Sequence, residues 1–193
     1  MKILQTGLFM AVKLIDISDY SPKSSDIFFF DNNIWMFLFC PLANFGKNKQ
    51  KVYSSFLKEI KIADSTIFIS SLILSEFANR YFRMDYELWK SETTPVNPSF
   101  KKEYIGSMRY SGTVIEVKKQ IKRILKICER TPDNFNAINM EMILRHLEYI
   151  DFNDSYFIEM INLNDFSKWK LVTDDQDFIK YQDHDSEIIT ILK

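Results

Sequence analysis

The sequence predicts an α/β fold, three-layer α/β/α with a central parallel sheet, and three observations carry that prediction. Short apolar runs rich in aromatic and β-branched residues alternate along the chain with longer stretches at helical spacing. DIFFFDNN carries an uninterrupted apolar run, as in a strand that crossover helices bury on both faces of a parallel sheet. Only four glycines and five prolines occur in 193 residues, too few for a loop-rich fold.

The elements follow in order. The start, MKILQTGLFMAVKLI, reads as a first strand, or partly as an extension ahead of Met10; it has no small-residue cleavage signal. DIFFFDNN (26–33) is a fully buried strand that stops at Asp31. GKNKQKVYSSFLKEIKIAD (46–64) has helical spacing, and STIFISS (65–71) is a β-branched second strand. SLILSEFANRYFRMDYELW (71–89) follows as a helix with Ser70 or Ser71 as its N-cap. SETTPVNPS (91–99) is a proline-punctuated loop. A long helix is expected from about Phe100 to Arg130, with possible breaks at Gly106 and Gly112. PDNFNAINMEMILRHLEYI gives a further helix and then a short strand at 147–150. NDSYFIEMINLND (153–165) is a helix with Phe157, Met160 and Ile161 on one face. WKLVT (169–173) and SEIITILK (186–193) are the last strands. The whole chain, 1–193, is expected to form a single domain.

Composition narrows the chemistry. Cys40 and Cys128 form no CxxC pair, which argues against a disulfide framework or a zinc site and fits a reducing cytoplasm. His146 and His184 make no metal-ligand spacing and read as structural or solvent-facing. No apolar stretch approaches the ~20 residues that a membrane span needs. Charge is unevenly spread: residues 101–130 hold nine basic side chains against three acidic, and residues 131–193 thirteen acidic against five basic. That asymmetry places a surface fit for a polyanion beside an acidic site. The basic stretch is either a solvated helix face or a track for RNA; Tyr104 and Tyr110 within it are either base-stacking or core residues.

In parallel α/β sheets, ligands bind beyond the carboxyl ends of the strands. Asp31 ends one strand, Asp174 and Asp175 follow another, Asp151 follows the expected strand at 147–150, Asp154 opens the next helix, and Glu76 lies on the helix after STIFISS. Converging carboxylates need protons, bases or a divalent cation to offset their repulsion. Oxygen donors without His or Cys point to a hard cation, Mg²⁺ or Mn²⁺. Such ions held by carboxylates suit phosphodiester hydrolysis.

Four segments, in order, resemble the motifs of the PIN-domain nucleases: FFFDNNIW, ISSLILSEF, DFNDSYFIEMI and LVTDDQDF. The resemblance spans 26–178 and implies a PIN-like fold in which the long stretch between the second and third motifs, about 84–146, is a helical insertion. It implies metal ligation by Asp31, Glu76, Asp154 and Asp175. Asn33 and Thr173 would orient these ligands, and Asp177 would be an accessory acid. Asp151 competes with Asp154 for the third position, and Asp174 and Asp177 with Asp175 for the fourth; Asp154 and Asp175 match the motifs better. Family members are generally Mg²⁺- or Mn²⁺-dependent endoribonucleases, many of them VapC-type toxins held inactive by an antitoxin. The resemblance thus implies RNA as substrate, with an antitoxin and a second copy of the chain as partners. A housekeeping RNA-processing nuclease, a DNA-directed nuclease and a non-catalytic module binding RNA or protein stay open.

Overall fold

The computed structural model describes residues 13–42, 47–92, 98–163, 169–180 and 187–191. The expectations for residues 1–12 and for much of the loop at 91–99 lie outside the described residues. The chain divides into two compact units: residues 21–133, and the segment before Ser21 together with residues from Asn134 onward.

In the unit of residues 21–133, three parallel strands lie in the order β2 (Ile27–Phe30), β3 (Thr66–Ile69), β4 (Glu129–Arg130). Phe28 pairs with Ile67 and Phe29 with Phe68. The phenylalanines of β2 are fully buried, each contributing about 1.5–3 kcal/mol of apolar burial. The run does not stay extended: Asp31 ends it, and α1 (Asn32–Phe39) starts at once, where no helix was expected. Eight residues at helical spacing put Trp35 against Phe30 and Phe39 in the core. α2 (Lys47–Ile62) buries Tyr53, Phe56, Leu57 and Ile60, one stripe at steps of three and four, and sets Phe56 edge-on to Phe28. α3 (Ser71–Glu92) begins where the Ser70 hydroxyl accepts from Ile73 N at 3.3 Å. It buries Ile73, Phe77, Tyr81 and Asp85, again in four-residue steps.

The expected helix 100–130 is three pieces. Phe100–Tyr104 forms a single π-helical turn. Gly106, at φ +106°, then breaks the helix in a conformation that side chains rarely tolerate, and α4 runs from Met108 to Leu125 straight through Gly112. The last two residues are not helix but β4. A buried carboxylate fastens these pieces to α3: Asp85 accepts from Tyr104 Oη at 2.7 Å, Thr113 Oγ1 at 2.6 Å and Arg109 Nε at 2.8 Å. Burial pushes the Asp85 carboxyl up, but the donors from Arg109, Thr113 and Tyr104 outweigh it and hold the group below its ordinary value.

In the other unit, β6 (Glu187–Thr190) lies between β1 (Lys13–Asp16) and β5 (Trp169–Val172), all parallel. The register sets Lys13 and Lys170 on either side of Glu187, which accepts from them at 2.7 and 2.5 Å. α5 (Met140–His146), preceded by one 3₁₀ turn at Phe135–Ala137, replaces the longer helix expected there. The strand expected at 147–150 does not form. Leu147 N, Tyr149 N and Ile150 N donate to carbonyls of Ile143 and His146, so the segment continues as turns to the next helix. That helix, α6 (Phe152–Asn162), is buried from Ser155 through Ile161, as befits a helix apolar on most sides. α7 (Gln176–Lys180) is a short helix directly after β5.

Candidate functional site

At the carboxyl end of β2, Asp31 takes an extended conformation and caps α1. Its Oδ1 accepts from Asn32 N at 2.5 Å and its carbonyl from Ile34 N at 3.1 Å. The capping geometry of an Asp-Asn-Asn turn is therefore real, and it also holds a carboxylate in place, 7% exposed, at the positive end of a helix. The next residue makes the link to the second motif. Asn32 is fully buried, and its Nδ2 donates to Glu76 Oε1 at 2.9 Å, across 44 positions of sequence. Its Oδ1 is buried without a hydrogen-bond partner among the described residues. Glu76 itself is half-buried in the second turn of α3. Asn33, expected to orient the ligands, is half-buried one position further along α1. Asn32 was not singled out from sequence; a polar residue that interrupts an otherwise apolar run, on the far side of Asp31, was the signal that marks it.

The other unit carries the third and fourth motifs. Thr173 follows β5 with no exposed surface. Its N donates to Ile189 O at 3.2 Å, and its Oγ1 accepts from Asp175 N at 3.0 Å. Asp175 in turn accepts from Asp177 N at 2.9 Å, the capping contact that opens α7. Thr173 thus fixes the backbone at Asp175. Asp174 and Asp175 are half-exposed and Asp177 is exposed. Phe178 folds back into the core against Phe157 of α6, ring centroids 6.1 Å apart.

On α6, the two competing acids have different positions. Asp151 is the N-cap and accepts from Asp154 N at 2.9 Å. Asp154 sits half-exposed in the first turn. Ser155, the next residue, is buried and pairs with His146 Nδ1 at 3.0 Å, so His146 is structural.

Other chemistry recedes. Burial pushes the Cys128 thiol up to about 12, leaving it protonated at neutral pH and unfit as a nucleophile. Tyr104 has no exposed surface and packs among Tyr86, Trp89 and Phe100; Tyr110 is half-buried against Phe82. Tyr104 presents no face to a base.

The donors that the motifs supply are carboxylate and amide oxygens, and the unpartnered, buried Asn32 Oδ1 adds another hard donor beside Asp31. This set fits Mg²⁺ or Mn²⁺ and not a thiophilic metal. Among the described residues, no group of three or more His, Cys, Asp or Glu converges closely enough to hold a metal ion.

No protein-family model matches the sequence, and no curated protein matches it. Among solved structures, a chain in the crystal structure of VapBC2 from Rickettsia felis bound to a DNA fragment from their promoter is similar, with a TM-score of 0.50. The fold is shared. The similarity covers 85% of this chain and 98% of that one at 16% identity, which shows a shared α/β architecture and leaves chemistry to the residues. No helix among the described residues is long and apolar enough to cross a membrane.

Proposed function

We propose that this chain is a divalent-metal-dependent endoribonuclease, hydrolysing phosphodiesters of single-stranded or looped RNA, and the toxin of a toxin–antitoxin pair. The observation that carries the reading is the coupling of Asp31 to Glu76 through Asn32. A carboxylate nearly withdrawn from water at a parallel strand's carboxyl end is tied, one residue on, to a second carboxylate from a distant motif. Asp31 and Glu76 would hold the cation, with Asp154 and Asp175 completing the acids of the same reaction. When bound, Mg²⁺ or Mn²⁺ supplies an activated water and offsets charge on the leaving oxygen. The protein's share is positional: Asn32 orients Glu76, the α1 N-terminus orients Asp31, and Thr173 holds the backbone of Asp175. No side-chain nucleophile is required.

The fold shared with a chain of the VapBC2 complex supports an antitoxin as partner; a second copy of the chain as partner rests on the motif resemblance, and a cytoplasmic location on cysteine usage. The competing reading is a non-catalytic module that binds RNA or protein, favoured by the absence of a tight three-acid cluster among the described residues. Cleavage of a mixed RNA pool decides between them. Wild-type protein is expected to cut with Mg²⁺ or Mn²⁺ and not with EDTA, and Asp31→Asn, folded by circular dichroism, is expected to be silent. RNA binding without cutting under either metal would establish the module instead.

A further inference from the structure

α4 carries a cation-lined groove that the proposed chemistry does not use. A cavity of about 450 Å³ opens on this helix, lined by Ile115, Lys118, Lys119, Lys122, Arg123 and Lys126, with no acidic side chain among them. Two of the five cations have local duties. Lys119 lies 3.3 Å from Glu116, and Arg123 donates to Gln120 Oε1 and covers the Phe39 ring at 5.4 Å. The other three, Lys118, Lys122 and Lys126, are exposed and make no ion pair among the described residues.

These three stand at i, i+4 and i+8, a single row with steps of about 6 Å along the axis. Like charges at that spacing destabilise a helix by a few tenths of a kcal/mol per pair. The helix dipole accounts for Lys122 and Arg123 in the last turn, but not for Lys118 a full turn earlier. Glu116 answers Lys119 alone; a row of three further cations that costs the fold stability suits an anionic occupant with regularly repeated charge. Ile115, 70% exposed at the groove's end, gives an apolar contact beside it. The groove is also connected to the acids of its own unit: Arg123 rests on Phe39, the last residue of α1, and Asp31 caps the first. The eight residues of α1 span about 12 Å.

We infer that the α4 groove binds the phosphate backbone of single-stranded RNA through Lys118, Lys122 and Lys126, as a sequence-independent track for the substrate. The identity of the strand as RNA rests on the nuclease reading; the track itself is read without any cleavage. The test measures binding of a short fluorescent single-stranded RNA to the full chain in EDTA, across a salt series. Replacing Lys118, Lys122 and Lys126 by Gln together is expected to weaken binding and to lower the slope of log affinity against log salt by about 2, at roughly 0.7 for each phosphate that is no longer neutralised. Replacing the same three by Arg keeps the slope. A charge-matched control, Lys47→Gln, Lys51→Gln and Lys58→Gln on the exposed side of α2, leaves it unchanged.

Equal slope losses in the α4 and α2 variants would reduce the effect to bulk charge and overturn the inference. So would a poly-glutamate peptide that binds the groove as well as RNA does, since that assigns the surface to an acidic protein. An enzyme that cuts RNA at the wild-type rate, with unchanged salt slope, after the α4 replacements would keep the nuclease reading and sink this one.

Discussion

Asn32 is a fully buried amide at the first position of α1. It has no exposed surface, commits its Nδ2 to Glu76, and leaves Oδ1 unpartnered among the described residues. A buried polar atom without a partner costs about 1–3 kcal/mol, and the proposed cation would relieve that cost at Asn32 Oδ1. Asn32→Ala is expected to raise the Mn²⁺ concentration for half-maximal RNA cleavage about 10–100-fold, the usual cost of losing a residue that orients a ligand, with saturating Mn²⁺ restoring most of the rate. A loss that no Mn²⁺ concentration restores would place Asn32 in the fold rather than the site. Asp31 was legible in the sequence because an acid in so apolar a run needs a reason. Asn32 was not, because the motif directs attention to Asn33, and only the fold shows which of two adjacent amides turns inward.

Among the elements, Gly106 and Gly112 make opposite predictions. At Gly106 a Cβ would meet nothing within 4 Å, yet φ +106° is strained for any side chain. Gly106→Ala is therefore expected to cost about 1–3 kcal/mol from backbone strain alone. Gly112 lies inside α4 with equally open space around it, so Gly112→Ala is expected to gain about 0.5–1 kcal/mol. Urea midpoints of the two variants check both signs; destabilisation by both would mean that α4 is not a regular helix at Gly112. Strands β2, β3, β5 and β6 were legible because each is an apolar run with helical segments around it. β4 was not: Glu129 and Arg130 are exposed and charged, and only their pairing with Phe68 and Ile69 makes them a strand. The opposite error came at 147–150, where Leu147, Tyr149 and Ile150 mimic an apolar strand but their amides complete helical turns.

At the scale of the whole molecule, acid sensitivity is distributed over both units. Asp85 anchors α3 to α4 in one, and Glu187 joins β1 to β5 in the other. Burial pushes Glu187 up, but the ammonium groups of Lys13 and Lys170 outweigh it and lower its pKa, as the Arg109, Thr113 and Tyr104 donors lower that of Asp85. A carboxyl depressed in the folded chain is protonated first in the unfolded one. The stability it gives is thus complete above its unfolded value, about 4, and is lost as pH falls through the folded value. The urea midpoint is expected to be flat from neutrality to about pH 5 and to fall below it, with a shallower fall in Asp85→Asn, which starts from lower stability. An unchanged slope in that variant would remove Asp85 from the account.

The parallel α/β architecture was legible from composition and periodicity, whereas the claim that acids from four motifs serve one reaction rests on chemistry. Its most direct test is the single-turnover rate of RNA cleavage at saturating Mn²⁺ for wild type, Asp31→Asn, Asp175→Asn and the double variant. Groups that act as a unit are strongly non-additive. The account predicts that each single replacement costs at least about 100-fold, the upper end of what losing even a supporting residue costs, and that the double variant is scarcely worse than either. An Asp175→Asn enzyme that cuts at the wild-type rate, or losses that simply multiply in the double variant, would contradict it.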